Sequence, residues 1–210
     1  DINSREDLKQ KVDWLRELTG GVPIGIKIVA GNIKGDLDAA VFAQPDFITV
    51  DCRGGATGTA PVHVKDNFGM PIPYALSRIR DYISLKSVSG ISLVITGGIR
   101  TSADIAKCLA MGADAVALGT VAMIGIGCQQ YRMCHLGTCP VGVATQDAAL
   151  RKRFDIGQSA GMLANLFKVY RSEIEDFVRV MGKTDVHQLD LSDLVTSNGD
   201  LSRHAQIEHM

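Results

Sequence analysis

No stretch of the 210 residues stays apolar for the roughly 18 to 20 positions that a bilayer-crossing helix requires. The opening residues are polar and acidic, with no basic stretch leading into an apolar one. A membrane anchor and a signal peptide are therefore not expected. Charge of one sign is lacking too: 22 basic side chains face 23 acidic ones, for a net charge of −1, so no nucleic-acid partner is implied. There is no internal repeat and no low-complexity segment. The five cysteines are an odd number with three of them bunched, which excludes a disulfide framework and points to a reducing compartment, by default the cytoplasm. The chain opens on Asp1 and not on Met, and is expected to be a processed, excised or truncated product, or to start upstream. The 46% apolar composition is that of an ordinary globular domain.

What the chain does have is Cys128, Cys134 and Cys139 within twelve residues, in a turn-rich segment that ends at Pro140. Structural cysteines normally sit singly on apolar faces, whereas thiolates bunched on a loop can converge on one metal centre. Three readings are open. The thiols are free, or they bind zinc with His135 as fourth ligand, or they hold a 3Fe-4S cluster, which suits three ligands without a fourth. Zinc is the weaker choice because His135 directly follows Cys134, and adjacent residues seldom both reach one tetrahedral ion.

Along the chain, strands and helices alternate. Ser4 and Asp7 form a capping box for a helix carrying Leu8, Val12, Leu15 and Leu18, stopped by Gly20-Gly21. Strands are predicted at Ile24–Val29, Phe47–Asp51, Tyr74–Leu76, Ser92–Thr96 and Ala115–Leu118, with helices at Asp36–Phe42, Ile79–Ile83 and from Ser102 through Leu109. Beyond residue 150 the pattern is helical, with Leu163, Leu166, Phe167 and Tyr170 leading to Phe177 and Met181. Residues 185–198 carry no clear signal.

Near-continuous apolar strands separated by helices indicate an α/β fold with a parallel sheet and functional loops at the carboxyl ends of the strands. Both a doubly wound sheet and a (β/α) TIM-type barrel fit. The barrel is preferred because the last two strands end in Gly97-Gly98 and Gly119-Thr120, the arrangement by which barrels hold one phosphate after strands seven and eight. A complete barrel has eight strands. The five predicted here are expected to be strands four to eight of a partial barrel over residues 1–149, with residues 150–210 a helical extension packed on it. Its open edges would be covered by another polypeptide, a swapped copy or residues absent from this chain.

The strand ends concentrate the candidate site residues. Gly97, Gly98, Gly119 and Thr120 offer backbone N–H groups, a hydroxyl and the dipole of the helix from Ser102 to a phosphate, and Arg100 adds charge. Lys27 faces inward by alternation with Ile26 and Ile28, and such a cation needs an anion, such as the negative charge of a reduced flavin; failing that, it is a lysine at the strand's solvent end. Gly55, Thr57 and Gly58 belong to a glycine-rich loop whose backbone approaches a ligand closely, or to a plain mobile loop. Asp51 hydrogen-bonds a ring N–H or caps that loop. Cys108 and Cys52 read as structural thiols, and His63, His187, His204 and His209 have no ligand spacing.

The run Cys128-x5-Cys134-His135-x3-Cys139-Pro140-Val141-Gly142-Val143-Ala144-Thr145-Gln146 resembles the iron–sulfur segment in the FMN-binding domain of the glutamate synthase large subunit, closest to the archaeal type. The similarity runs from about Asp1 to about Asn198, and one glycine of the family's Gly-Gly-Thr-Gly loop is replaced in Gly55-Ala56-Thr57-Gly58. The resemblance implies a TIM barrel carrying FMN and a 3Fe-4S cluster. It implies Lys27 at the flavin ring, Gly97, Gly98, Gly119 and Thr120 at the FMN phosphate, and Cys128, Cys134 and Cys139 on the cluster. The implied reaction is reductive synthesis of glutamate from 2-oxoglutarate and ammonia through 2-iminoglutarate. Ferredoxin or an NAD(P)H-linked subunit is the implied electron donor. The family's early strands and its amidotransferase domain have no counterpart in these residues. An IMP dehydrogenase-like barrel shares the phosphate glycines but needs a nucleophilic cysteine near Tyr74–Arg80, where there is none. Two non-enzymatic readings stay open: a non-catalytic fragment that associates with itself or a partner, and a zinc-binding structural module.

Overall fold

The apolar runs become strands because each has a helix to cover it. A computed structural model describes residues 2–210. Helix α1 (Arg5–Leu18) opens on the expected capping box, in which Ser4 and Asp7 each bind the other's backbone N–H. Then come β1 (Gly25–Val29), α2 (Ile33–Phe42), β2 (Phe47–Asp51), α3 (Val62–Asn67) and α4 (Ile72–Lys86). They are followed by β3 (Ser92–Thr96), α5 (Ser102–Ala110), β4 (Ala115–Ala117) and the short α6 (Thr120–Gly125). The cysteine segment is a loop with one 3-10 turn at Cys134–Leu136, and it leads to α7 (Ala148–Arg151) and the 25-residue α8 (Ile156–Val180). Further on, β5 (Val195–Thr196) pairs with β6 (Glu208–His209) around α9 (Gly199–Ala205).

The main sheet is parallel throughout and its order is β1-β2-β3-β4, so each strand neighbours the next. A doubly wound sheet reverses its order at a switch point, and the described strands contain no reversal. Registers align Lys27 with Thr49, Thr49 with Val94 and Val94 with Ala115. Because side chains alternate along a strand, Ile26, Ile28, Ile48, Val50, Leu93, Ile95 and Val116 share one face. They pack there against Leu37 and Ala40 of α2, Leu76 and Ile79 of α4, and Cys108 of α5. The opposite face carries Lys27, Thr49, Asp51, Val94 and Thr96, and at its β1 edge Lys27 and Val29 are exposed.

The sheet has four strands and not five. Tyr74–Leu76, expected as a strand, lies in the first turns of α4, which starts behind Pro71 with Pro73 in its second position. A proline there suits the helix, since its φ is already helical and its missing N–H has no partner in the first turn. Ala75, Leu76, Ile79 and Tyr82 then turn one helical face inward, and all four are buried. Helix α2 starts three residues before the expected Asp36, because Asn32 accepts from the N–H of Gly35 and caps it there.

Cys52 and Cys108 are core thiols, as expected, and burial pushes both up to about 12. Helix α8 packs on α5 and α6, and its Val178 shares a small cluster with Ala106, Ala110 and Leu189. Helix α9 packs on α4, with Ala205 and Ile207 in the main core. No helix among the described residues is long and apolar enough to cross a membrane.

The placement of α4 has a direct test. Leu76→Ala, at a side chain with no exposure, is expected to cost about 2–5 kcal/mol by denaturant unfolding. Leu85→Ala on the same helix, 84% exposed, is expected to cost less than about 0.5 kcal/mol. Equal losses would contradict this division of α4 into an inner and an outer face.

Candidate functional site

A cavity of about 460 Å³ opens at the carboxyl ends of the four parallel strands, within the size range of small-molecule sites. Eight of the ten residues expected to hold a cofactor line it: Lys27, Asp51, Gly55, Gly97, Gly98, Arg100, Gly119 and Thr120. Thr57 and Gly58 do not. The hydroxyls of Thr57 and Thr59 bond to each other at 2.9 Å on an exposed turn, and Gly58 lies against the side chain of Cys134.

Parallel register sets the polar floor of this cavity. Lys27 sits mid-strand on β1, and its Nζ reaches Asp51 Oδ2 on β2 at 2.8 Å. The lysine is therefore at the cavity and not at a solvent end of its strand, although its side chain is 61% exposed. Asp51 Oδ1 is buried and has no hydrogen-bond partner, so it does not cap the glycine-rich loop. An orphaned buried acceptor carries a cost of about 1–3 kcal/mol unless a ligand donates to it. Thr96 adds a hydroxyl that is bonded to the carbonyl of Ala117 at 2.8 Å.

The walls are made of backbone because side chains do not fit there. A Cβ on Gly55 would stand 1.8 Å from Asp51 Oδ1 and 2.9 Å from the Cα of Gly97. Gly97 adopts φ 110°, and a Cβ on it would stand 2.4 Å from the carbonyl oxygen of Cys52. The loops after β2 and β3 thus interlock, leaving a cradle for something that needs close backbone approach. An orphaned acceptor beside a lysine, with glycine walls and arginine at the rim, fits a polar ring with a phosphate tail.

The two helix starts at this cavity differ. At α5, the backbone N–H groups of Arg100 and Thr101 both donate to Asp104 at 3.0 Å, closing a capping box with Thr101. Those two amides, which precede the first helical residue, are occupied, and the Asp104 N–H is taken by Thr101. At α6, Gly119 precedes the helix with no side chain capping it. The Gly97-Gly98 turn, the Gly119-Thr120 turn and Arg100 all line the cavity beside these two helix starts.

Sequence reasoning missed Lys65 and Asp66 of α3, and Gln130 and Arg132 from the cysteine segment, all of which line the cavity. Gln130 and Arg132 both have positive φ, 57° and 60°, a conformation that costs non-glycine residues energy and concentrates at functional sites. Nothing in the sequence around them announces it. A larger groove of about 910 Å³ between α5 and α8, lined by Ile105, Phe167, Ile174 and Val178 among others, contains none of the expected site residues.

The cysteine segment reaches the cavity but does not form a metal centre in this structure. Among the described residues, no three His, Cys, Asp or Glu side chains are grouped so as to hold a metal ion, and all five cysteines are free. His135 is exposed. One sulfur nonetheless accepts a backbone N–H group. Cys128 Sγ accepts from Gln130 at 3.5 Å. Burial raises Cys139, but the N–H groups of Ala144, Val141, Val143 and Gly142 around its sulfur outweigh that and hold the thiol below its ordinary value.

Residues 1–184 match the family described as "Conserved region in glutamate synthase". The chain is 40% identical over 192 residues to the archaeal-type glutamate synthase (NADPH) of Dehalococcoides mccartyi, covering 90% of this chain and 38% of that protein. It is 36% identical to the archaeal glutamate synthase (NADPH) of Archaeoglobus fulgidus with the same coverage. It is 34% identical to a glutamate synthase large subunit-like protein of Rhizobium meliloti, covering 99% of this chain and 51% of that one. The chain thus spans well under two thirds of the relatives it matches. Among solved structures, the flavin-binding domain of baker's yeast flavocytochrome b2 superposes with a TM-score of 0.55 at 16% identity, over 86% of this chain and 37% of that one. That likeness establishes a parallel α/β fold of the kind found in a flavin-binding domain. The chain belongs to the glutamate synthase family.

Proposed function

We propose that the chain is the cofactor-bearing part of an FMN-dependent glutamate synthase, acting on 2-oxoglutarate and ammonia-derived nitrogen to give glutamate. The observation that carries this reading is the cavity at four parallel strand ends where Lys27, the orphaned Asp51 oxygen, two glycine turns and Arg100 converge, in a chain of that family. Residues 1–149 make up part of a (β/α) barrel and residues 150–210 its helical extension. The consecutive strand order and the exposed β1 edge of the polar sheet face support a partial barrel. Exposed Phe167, Val169 and Phe177 on α8 add support, since they offer apolar surface to whatever completes it. Completion comes from further residues of the full protein, a partner chain or a second copy. The electron donor is ferredoxin or an NAD(P)H-linked partner.

Bound FMN would supply hydride transfer to 2-iminoglutarate. The residues of this chain bind and orient around it. Gly97, Gly98, Gly119 and Thr120 present backbone and hydroxyl to the phosphate, and Arg100 neutralises it. Asp51 Oδ1 accepts a ring N–H, and Asp51 Oδ2 holds the Lys27 ammonium at the cavity. Lys27 offers its charge to the negative charge that develops on reduction. Gln130 and Arg132 form the rim.

Cys128, Cys134 and Cys139 are the proposed ligands of a 3Fe-4S cluster. Their support is donor chemistry alone: three thiols within twelve residues, of which Cys128 accepts a backbone N–H and Cys139 is held below its ordinary value by the N–H groups around it.

Two measurements bear on these roles. In the full-length protein, Lys27→Met is expected to retain FMN, read from its visible absorbance, while glutamate formation falls about a hundredfold or more. Undiminished turnover would remove Lys27 from the mechanism. Cys134→Ser is expected to cut iron bound by anaerobically purified protein to near zero while far-ultraviolet circular dichroism is kept, and unchanged iron content would refute the ligand set.

A further inference from the structure

Tyr170 and Glu173 stand one turn apart on α8, outside the cavity, and both grip the start of α5. The Tyr170 hydroxyl donates to the carbonyl oxygen of Arg100. Glu173 Oε2 accepts from the Ser102 hydroxyl at 2.5 Å, at a serine that is 5% exposed. These two bonds bracket Thr101, the N-cap of α5. On its other side, the preceding Gly97-Gly98 turn rests on the backbone of Cys52 and Arg53. Two consecutive glycines at positive φ have no side chain to hold their conformation, and they sample more backbone states than any other pair. The turn therefore depends on anchors at both ends: strand β2 at one, and α8 at the other. Burial, followed by Glu173 and Asp104 nearby, pushes the Tyr170 hydroxyl up, so it stays protonated and serves as a donor.

We infer that Tyr170 and Glu173 are positioning residues for the phosphate of the proposed flavin, acting through the backbone of residues 97–102 without touching the cofactor. This rests on the FMN reading above and extends it to a helix that sequence patterning assigned only to packing. Loosening the turn would weaken recognition of the phosphate and leave recognition of the ring alone. That separates a positioning role from a general structural one.

The test compares FMN with riboflavin, which lacks the phosphate, by fluorescence titration of the flavin-free full-length protein. Tyr170→Phe and Glu173→Ala are each expected to weaken FMN about fivefold, the loss of roughly one hydrogen bond, with riboflavin affinity unchanged. Glu173→Gln keeps an oxygen to accept from Ser102 and is expected to restore the unsubstituted ratio. An unchanged ratio in both Tyr170→Phe and Glu173→Ala, or equal weakening of both flavins, would overturn the inference. If the unsubstituted protein bound neither flavin, the FMN reading itself would fall. If it bound FMN and the substitutions left the ratio intact, only the positioning role would fall.

Discussion

The two-residue alternation of side chains along four in-register parallel strands governs everything else in this protein. One face must be apolar to receive α2, α4 and α5, and the other is thereby free to carry Lys27, Asp51 and Thr96. A slip of one residue in any strand would exchange the two sets and place charge in the core. The apolar core thus specifies the polar floor of the cavity, and the site inherits its precision from packing on the far side of the sheet.

A second constraint is the closeness of the loops after β2 and β3. Gly55 stands against Asp51 and Gly97, and Gly97 against Cys52, at distances that leave no room for a Cβ. Side chains are excluded where these loops meet, so only backbone can face a ligand there. The two helix starts beside these loops differ in the same local way: Asp104 and Thr101 cap α5, whereas no side chain caps α6.

The features legible in the sequence are those set by local chemistry. Apolar runs mark all four strands, glycine pairs mark the ends of two of them, and the capping box at Ser4 marks the start of α1. Eight of ten expected cofactor residues meet in one cavity, because the polarity of a parallel sheet sends every strand end to the same side. What escapes the sequence has a different origin. Tyr74–Leu76 resembles a strand because three apolar residues look alike in either state, and the prolines around it begin a helix where they could equally have broken one. Thr57 has the hydroxyl a ligand could use, but that hydroxyl pairs with Thr59 instead. Gln130 and Arg132 reach the cavity on left-handed backbone that their residue types do not announce. Nor does the sequence announce Tyr170, whose hydrogen bond spans 70 positions of chain.

The exposed β1 edge of the sheet also bears on how strongly its charges act. The Lys27 ammonium, 2.8 Å from Asp51, is largely open to solvent, where water screens the attraction many times more than a protein interior does. Covering that edge would dry the pair and amplify its field without moving either atom. A ligand seated at this spot would then feel a stronger field the less water reached the pair, making the access of solvent an electrical variable as much as a mechanical one.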